Sequence, residues 1–224
     1  MTITHKALAA LLTYPTAELL AALPEIGSAI DREAKLGRRE RRSLRALVAQ
    51  LAAADLLDLQ ERYVELFDRG RATSLHLFEH VHGESRDRGQ AMVDLMATYA
   101  QAGLTLNANE LPDYLPVLLE FLSLQPEPVA REMLADCAHI VRKIGDALAK
   151  HESAYAAVFA AVLSLAGERG LGTDPPSPAD VDRPLDDEWI EEPVVFGPAA
   201  ASACGGKSAP TSVIHFLPRA GAPR

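Results

Sequence analysis

Between Tyr63 and Leu95 the chain gathers His76, His80 and His82, Glu79 and Glu84, Asp68 and Asp87, and Arg69, Arg71, Arg86 and Arg88. Within this stretch His76-Leu-Phe-Glu79-His80 fits H-x-x-E-H, the pattern of one class of zinc peptidase. On a helix, imidazoles at i and i+4 share a face and can chelate zinc, with the carboxylate between them as general base. His82 and Glu84 would be further ligands. Against this, the pattern is five residues long, Gly83 cuts short the helix that must carry it, and no distant acidic ligand motif accompanies it. The expectation is no metal, no cofactor and no catalytic residue. A zinc-dependent hydrolase using His76, Glu79 and His80 is the alternative from another class.

The run Gly83-Glu-Ser-Arg-Asp-Arg-Gly89 lacks the spacing and the Lys-Ser/Thr end of a phosphate loop, and Glu84 and Asp87 would repel phosphate. Helix capping accounts for it better. Ser85 suits an N-cap, and Glu84 and Asp87 complement the positive end of a helix dipole. Arg86 and Arg88 are then available for ion pairs with Glu79 or Asp68, or for a binding partner. The same residues can thus form a polar clasp that locks a short helix onto a long one, or a binding surface. No Ser-His-Asp or Cys-His nucleophile is readable, since Cys137 and His139 are two apart and point to different helix faces.

The elements that must position these residues are helical. A short helix over 3–12 stops at Tyr14-Pro15, and Thr16 caps a helix to Leu23. Pro24 starts the next, which runs to Leu36 with Gly37 closing it. Arg38 to Ala54 carries Leu44, Leu47, Val48 and Leu51 at helical spacing, and five arginines that suit a solvated face paired with Glu33 and Glu40. Asp55 caps a helix to Asp68 whose stripe is Leu56, Leu59, Tyr63, Leu66 and Phe67. Tyr63 and Phe67, four apart, share a face that serves either the core or one wall of a groove for an apolar peptide helix.

Thr73 or Ser74 caps a short helix to His80, and a long helix spans Ser85 to Gln101 with Gly103 beyond it. A helix to Leu124 follows Pro112 and Pro116. One long helix carries Val129, Met133, Cys137, Ile140, Val141, Ile144 and Leu148 on its apolar face. The last spans Ser153 to Glu168, and Gly170 and Gly172 close the body. No stretch of the body alternates apolar and polar residues for five or more positions in a β-branched context, so residues 1–171 are predicted sheet-free. The fold class is all-α, a single-domain bundle of eight or nine helices.

After Gly172 the composition changes. Nine of the fifteen prolines lie between Pro175 and Pro223, and an acidic run surrounds the one tryptophan, Trp189. Such a segment buries too little to offset its ordering entropy. Residues 172–224 are therefore expected to be a flexible tail, interrupted by two apolar islands: 189–196 and Val213-Ile-His-Phe-Leu217. Either island could dock on the body or on a partner.

Composition narrows the class. The 224 residues carry 31 acidic and 22 basic side chains, a formal charge of −9. That excludes a general nucleic-acid binder, which needs a basic face. A helical body of this length buries roughly 70% of the surface its unfolded chain exposes, enough for an independent core. Two cysteines without a CxxC pair suit a reducing compartment. No signal peptide or bilayer-length apolar run is readable; the most apolar segment, Ala154 to Ala166, is a buried helix. The expected location is cytoplasmic, without membrane insertion.

Four segments, in two regions, carry a family resemblance. Tyr63 through Arg69, Ser74-Leu-His-Leu-Phe-Glu-His80 and His82-Gly-Glu-Ser-Arg-Asp-Arg-Gly-Gln-Ala-Met92 closely resemble the assembly chaperones of respiratory nitrate reductase, the delta subunits. Glu110-Leu-Pro-Asp-Tyr-Leu-Pro-Val-Leu-Leu-Glu-Phe121 is a second matching region. Leu111-Pro-Asp113-Tyr114 is similar to a Pro-x-Asp-His signature of the wider molybdoenzyme chaperone group, linked there with leader-peptide binding. Tyr114 stands where that signature has His, and the proline is shifted by one. The resemblance covers about three-quarters of the chain.

It implies an all-helical protein that is not an enzyme and serves the catalytic (alpha) subunit of nitrate reductase. The job implied is to hold the apo-subunit ready for molybdenum-cofactor insertion and to delay membrane docking, a job that need not involve binding the cofactor itself. A chaperone of this fold serving a different molybdoenzyme is the nearer alternative. The expected binding mode is capture of the client's N-terminal segment as a helix in a groove. Its residues would be Tyr63, Phe67 and Phe78 for the apolar floor, Asp68, Glu79, Glu84 and Asp87 for an acidic rim, and His76, His80, Arg86, Arg88, Asp113 and Tyr114 beside them.

Overall fold

The structure is a computed structural model that describes residues 3–82, 85–106, 110–171 and 216–218. Two helices are apolar nearly all round and sit at its centre, as such helices must. One is α7 (Leu115–Ser123), in which every residue but Glu120 is buried. The other is α10 (Ala156–Ala166), the apolar segment picked out in the sequence, which buries Val158, Phe159, Val162 and Leu163 completely or nearly so. Amphipathic helices surround them. Helix α1 (Ile3–Leu11) packs on α7, while α3 (Arg38–Ala53), α8 (Glu127–Asp136) and α9 (Ala138–Lys150) pack on α10. Helix α2 (Ala17–Arg32) lies against α1 and α3. The all-α, single-domain fold expected from periodicity is the one observed.

Four boundaries differ from expectation. Pro24 lies inside α2 and does not begin a new helix. An interior proline costs about 3 kcal/mol, but Leu19, Leu23, Ile26 and Ile30 form one buried stripe across it, and tertiary burial of that stripe outweighs the cost. Gly37 is the N-cap residue of α3 and closes no helix. The single long helix expected over 129–148 is two, α8 and α9, separated at Cys137, where the backbone leaves the helical basin (φ −95°, ψ 4°). Val129 is consequently exposed, while Ile140, Val141, Ile144 and Leu148 are buried. The helix expected from Ser74 to His80 is reduced to α5 (Glu79–His82), preceded by a 3₁₀ turn at Arg71–Thr73.

The body is not free of strands. Helix α6 (Arg86–Gln101) ends at Gly103, whose φ of 77° suits glycine and turns the chain back. The next residues form β1 (Leu104–Leu106), paired antiparallel with β2 (Phe216–Pro218) in the register Leu104↔Pro218, Thr105↔Leu217, Leu106↔Phe216. The strand escaped the sequence because it is three residues long and its partner is more than a hundred residues away. Apart from β2, the tail of residues 172–224 lies outside the described residues, and so does the island at 189–196.

Candidate functional site

Helix α4 (Leu56–Tyr63) starts at Asp55, whose Oδ1 accepts the Leu57 N–H at 2.9 Å. It continues as a π-helical turn, Val64–Asp68, closed by Arg69 N–H donating to the Val64 carbonyl at 3.1 Å. The wide turn is held from outside: Thr73 donates its hydroxyl to the Leu66 carbonyl, and Gly70 sits so close to both that a Cβ there would meet the Thr73 Oγ1 at 2.5 Å and the Leu66 oxygen at 3.0 Å.

The two stripe aromatics point inward. Tyr63 is 3% exposed and Phe67 5%. Their rings stack with each other at 4.8 Å, Tyr63 meets Tyr14 edge-on at 5.5 Å, and Phe67 meets Tyr155 edge-on at 5.2 Å. Of the two roles open to this pair, the structure assigns core packing, so they do not floor an open groove. Tyr63 donates its hydroxyl hydrogen to the Leu12 carbonyl at 2.8 Å, and its oxygen lies 2.8 Å from the Tyr114 hydroxyl. Burial first, then the neighbouring Tyr114, pushes the Tyr63 phenol far above its ordinary range.

Asp113 is the pivot of the polar cluster and is wholly buried. Its Oδ2 accepts the Phe78 N–H at 3.0 Å, its Oδ1 faces His76 Nδ1 at 3.4 Å, and its carbonyl accepts the Leu77 N–H at 3.1 Å. Leu115 N–H returns to the Leu75 carbonyl at 2.8 Å, so His76 and Tyr114 form a one-residue antiparallel bridge. The Leu77 and Phe78 N–H groups and the Leu75 carbonyl are thus spent on the 113–115 segment, and the bridge at His76 runs straight into a turn at 77–78, which is why the expected helix does not start at Ser74. Burial alone would lower the His76 pKa, but the Asp113 hydrogen bond and charge outweigh it and raise it above the ordinary value.

A second layer faces outward. Glu79 accepts from the Ser74 hydroxyl at 2.6 Å and from Arg88 Nη2 at 3.2 Å, so the clasp between the short helix and α6 exists as drawn from the sequence. Burial would raise the Glu79 pKa, yet Ser74, His76 and Arg88 together hold it below the usual carboxylate range. His80 Nε2 lies 2.9 Å from the Ser74 carbonyl oxygen, and Phe78, half-buried, meets His82 edge-on at 5.8 Å. Asp68, Arg86 and Asp87 are exposed. Glu84 lies outside the described residues.

The zinc arrangement is not formed. His76 stands on the bridge with its ring turned to Asp113, while His80 begins α5 territory and turns to Ser74, so the two imidazoles share no helical face. Among the described residues no three His, Cys, Asp or Glu side chains converge as a metal site. The Cys137 thiol is pushed up to about 12 by burial, which leaves it a poor nucleophile.

One feature escaped sequence reasoning: a cleft of 570 Å³ between α3, α4 with its π turn, and the turn after α9. Its floor is Leu47, Leu51, Leu59, Leu66, Ala154 and Tyr155, and Arg62, Glu65, Arg69 and Glu152 carry charge at its edges. Glu152 closes the α9–α10 turn with φ 53°, a left-handed conformation unusual for a side-chain-bearing residue. Leu59 and Leu66 were assigned to the apolar stripe in the sequence, but the turn that completes the cleft comes from ninety residues further on. Among the described residues no helix is long and apolar enough to cross a membrane.

Comparison with known proteins agrees with this architecture. The nitrate reductase delta subunit profile matches residues 30–161. The nitrate reductase molybdenum cofactor assembly chaperone NarJ of Escherichia coli K12 is 45% identical over 202 residues, covering 87% of this chain and 84% of the relative. The probable chaperone NarW of the same organism is 47% identical over 174 residues, 75% of each chain. The probable NarJ of Bacillus subtilis 168 is 34% identical over 163 residues, 72% of this chain and 87% of the relative. Both segments that meet at Asp113 lie inside the matched region, and the chain belongs to the nitrate reductase delta subunit family.

Proposed function

We propose that this chain is an assembly chaperone for nitrate reductase, which binds the apo catalytic subunit through its N-terminal segment and keeps it competent for molybdenum-cofactor insertion. It acts by binding and not by catalysis. Its relatives are named as molybdenum cofactor assembly chaperones of nitrate reductase, which supports the partner. The observation that carries the binding mode is the 570 Å³ cleft with an apolar floor and charges of both signs at its edge. An amphipathic helix laid into such a cleft buries anchors at i, i+3 or i+4 and i+7, and the volume suits a few aliphatic or aromatic side chains.

In this reading the groove uses α4 and its π turn through Leu59 and Leu66, while Tyr63 and Phe67 stiffen that wall from the core. The clasp adjoins it, since Thr73 lines the cleft and Ser74 begins the polar cluster. Exposed Asp68, Arg86 and Asp87 and half-buried Phe78, Glu79, His80 and Arg88 then steer and orient the client; Asp113, His76 and Tyr114 hold the clasp in shape. The location is cytoplasmic, where the client subunit is assembled.

Co-purification from the native host tests the partner. The tagged chain should retain the catalytic subunit in its cofactor-free form, and a strain lacking the chain should accumulate catalytic subunit without molybdenum. Normal molybdenum content in that strain would contradict the function, and retention of a different molybdoenzyme alone would redirect it.

A further inference from the structure

The β1–β2 pair joins the body to a segment close to the C-terminus, across the chain of residues 172–215. We propose that the edge of β1 is a strand-addition site whose resident occupant is the chain's own Phe216–Pro218, held there as a tethered and displaceable ligand. Strand addition works through main-chain hydrogen bonds and tolerates different sequences when alternate side chains fit. On β1 the side chains alternate: Leu104 and Leu106 are half-buried against the core, while Thr105 is exposed. Opposite it the paired residues are Phe216–Pro218, which in sequence end the apolar island Val213-Ile-His-Phe-Leu217 of an otherwise acidic and proline-rich stretch.

The contact sits beside a thinly buried part of the fold. Helix α6, which runs beside β1, buries only Tyr99, and Val93 and Met96 on its outer side are 59% and 53% exposed. Three residue pairs at such a place open readily. A tether raises the local concentration of the segment to roughly millimolar, which is enough to keep a weak contact closed. An extended partner segment with apolar residues at alternate positions can therefore exchange with it. This surface is separate from the cleft and does not rest on the proposed capture of a client helix.

The test uses the full chain with Cys137→Ala and Cys204→Ser. Directly opposed strand residues bring their Cβ atoms to about 5 Å, so Thr105→Cys with Leu217→Cys should close an intramolecular disulfide under mild oxidation, and Thr105→Cys with Ser212→Cys should not. A fluorescent peptide copying residues 211–221 is then titrated. It should bind the Leu217→Pro chain, whose own strand cannot pair, about tenfold more tightly than the unaltered chain, and should not bind the disulfide-locked chain. Equal closure of both cysteine pairs would overturn the register. Equal peptide affinity for the unaltered, Leu217→Pro and locked chains, or no binding to any, would overturn the displaceable site.

Discussion

At the residue scale two histidines titrate in opposite directions. His76 carries a raised pKa because Asp113 favours its charged form, so the folded state binds that proton more tightly than the unfolded chain. Its contribution is full below about pH 6.5, the ordinary histidine value, and is lost as pH rises through the raised value. His5 is buried in α1, neither ring nitrogen has a hydrogen-bond partner among the described residues, and burial, the largest influence on it, lowers its pKa. Its contribution is full above about pH 6.5 and falls away as pH drops below it. Urea denaturation at a series of pH values should show His76→Gln flattening the curve on the alkaline side of that value, and His5→Leu flattening it on the acid side. Asp113→Ala leaves the Phe78 N–H and His76 without their acceptor in a dry site, and should cost about 3 kcal/mol. A loss below about 1 kcal/mol would mean that the bridge at His76 and Tyr114 holds without it.

At the element scale, the π turn and the clasp divide the work. Phe67→Ala should lower stability by about 3–5 kcal/mol, the range for a truncated core aromatic, whatever its effect on client binding. If Phe67→Ala instead leaves the melting temperature unchanged, the ring lies outside the core. Helix existence was legible where a stripe recurred at helical spacing, as in α3, α4 and α9, and Thr16 and Asp55 were readable caps because their side chains do accept N–H groups. What was not legible depended on contacts distant in sequence. The continuation through Pro24 rests on burial against other helices. The bridge at His76 and the turn at 77–78 rest on the segment at Asp113, and β1 rests on β2. In the same way the residues of the clasp were readable as a polar cluster and Asp113 was named through the family resemblance, but that it is their pivot was not readable, because it lies 37 residues from His76. The cleft needed the α9–α10 turn and had no local signature at all.

At the scale of the whole molecule, two central apolar helices carry a shell of amphipathic ones, and the cleft opens where α3, the π turn and the α9–α10 turn meet. Apolar anchors there should set affinity, chiefly through dissociation, and the clasp charges should set the association rate. Glu79→Gln should therefore slow association and flatten its dependence on salt while leaving dissociation nearly unchanged, as stopped-flow measurements at several ionic strengths can read. The most direct measurement is calorimetric titration of the full chain with a peptide from the N-terminus of the nitrate reductase catalytic subunit, alongside the half-buried cleft variant Leu66→Glu. The account predicts saturable binding to the unaltered chain and a loss of about 2 kcal/mol, roughly thirtyfold in Kd, in a Leu66→Glu chain whose circular dichroism is unchanged. Equal affinity of the two chains, or no binding at near-millimolar peptide, would contradict it.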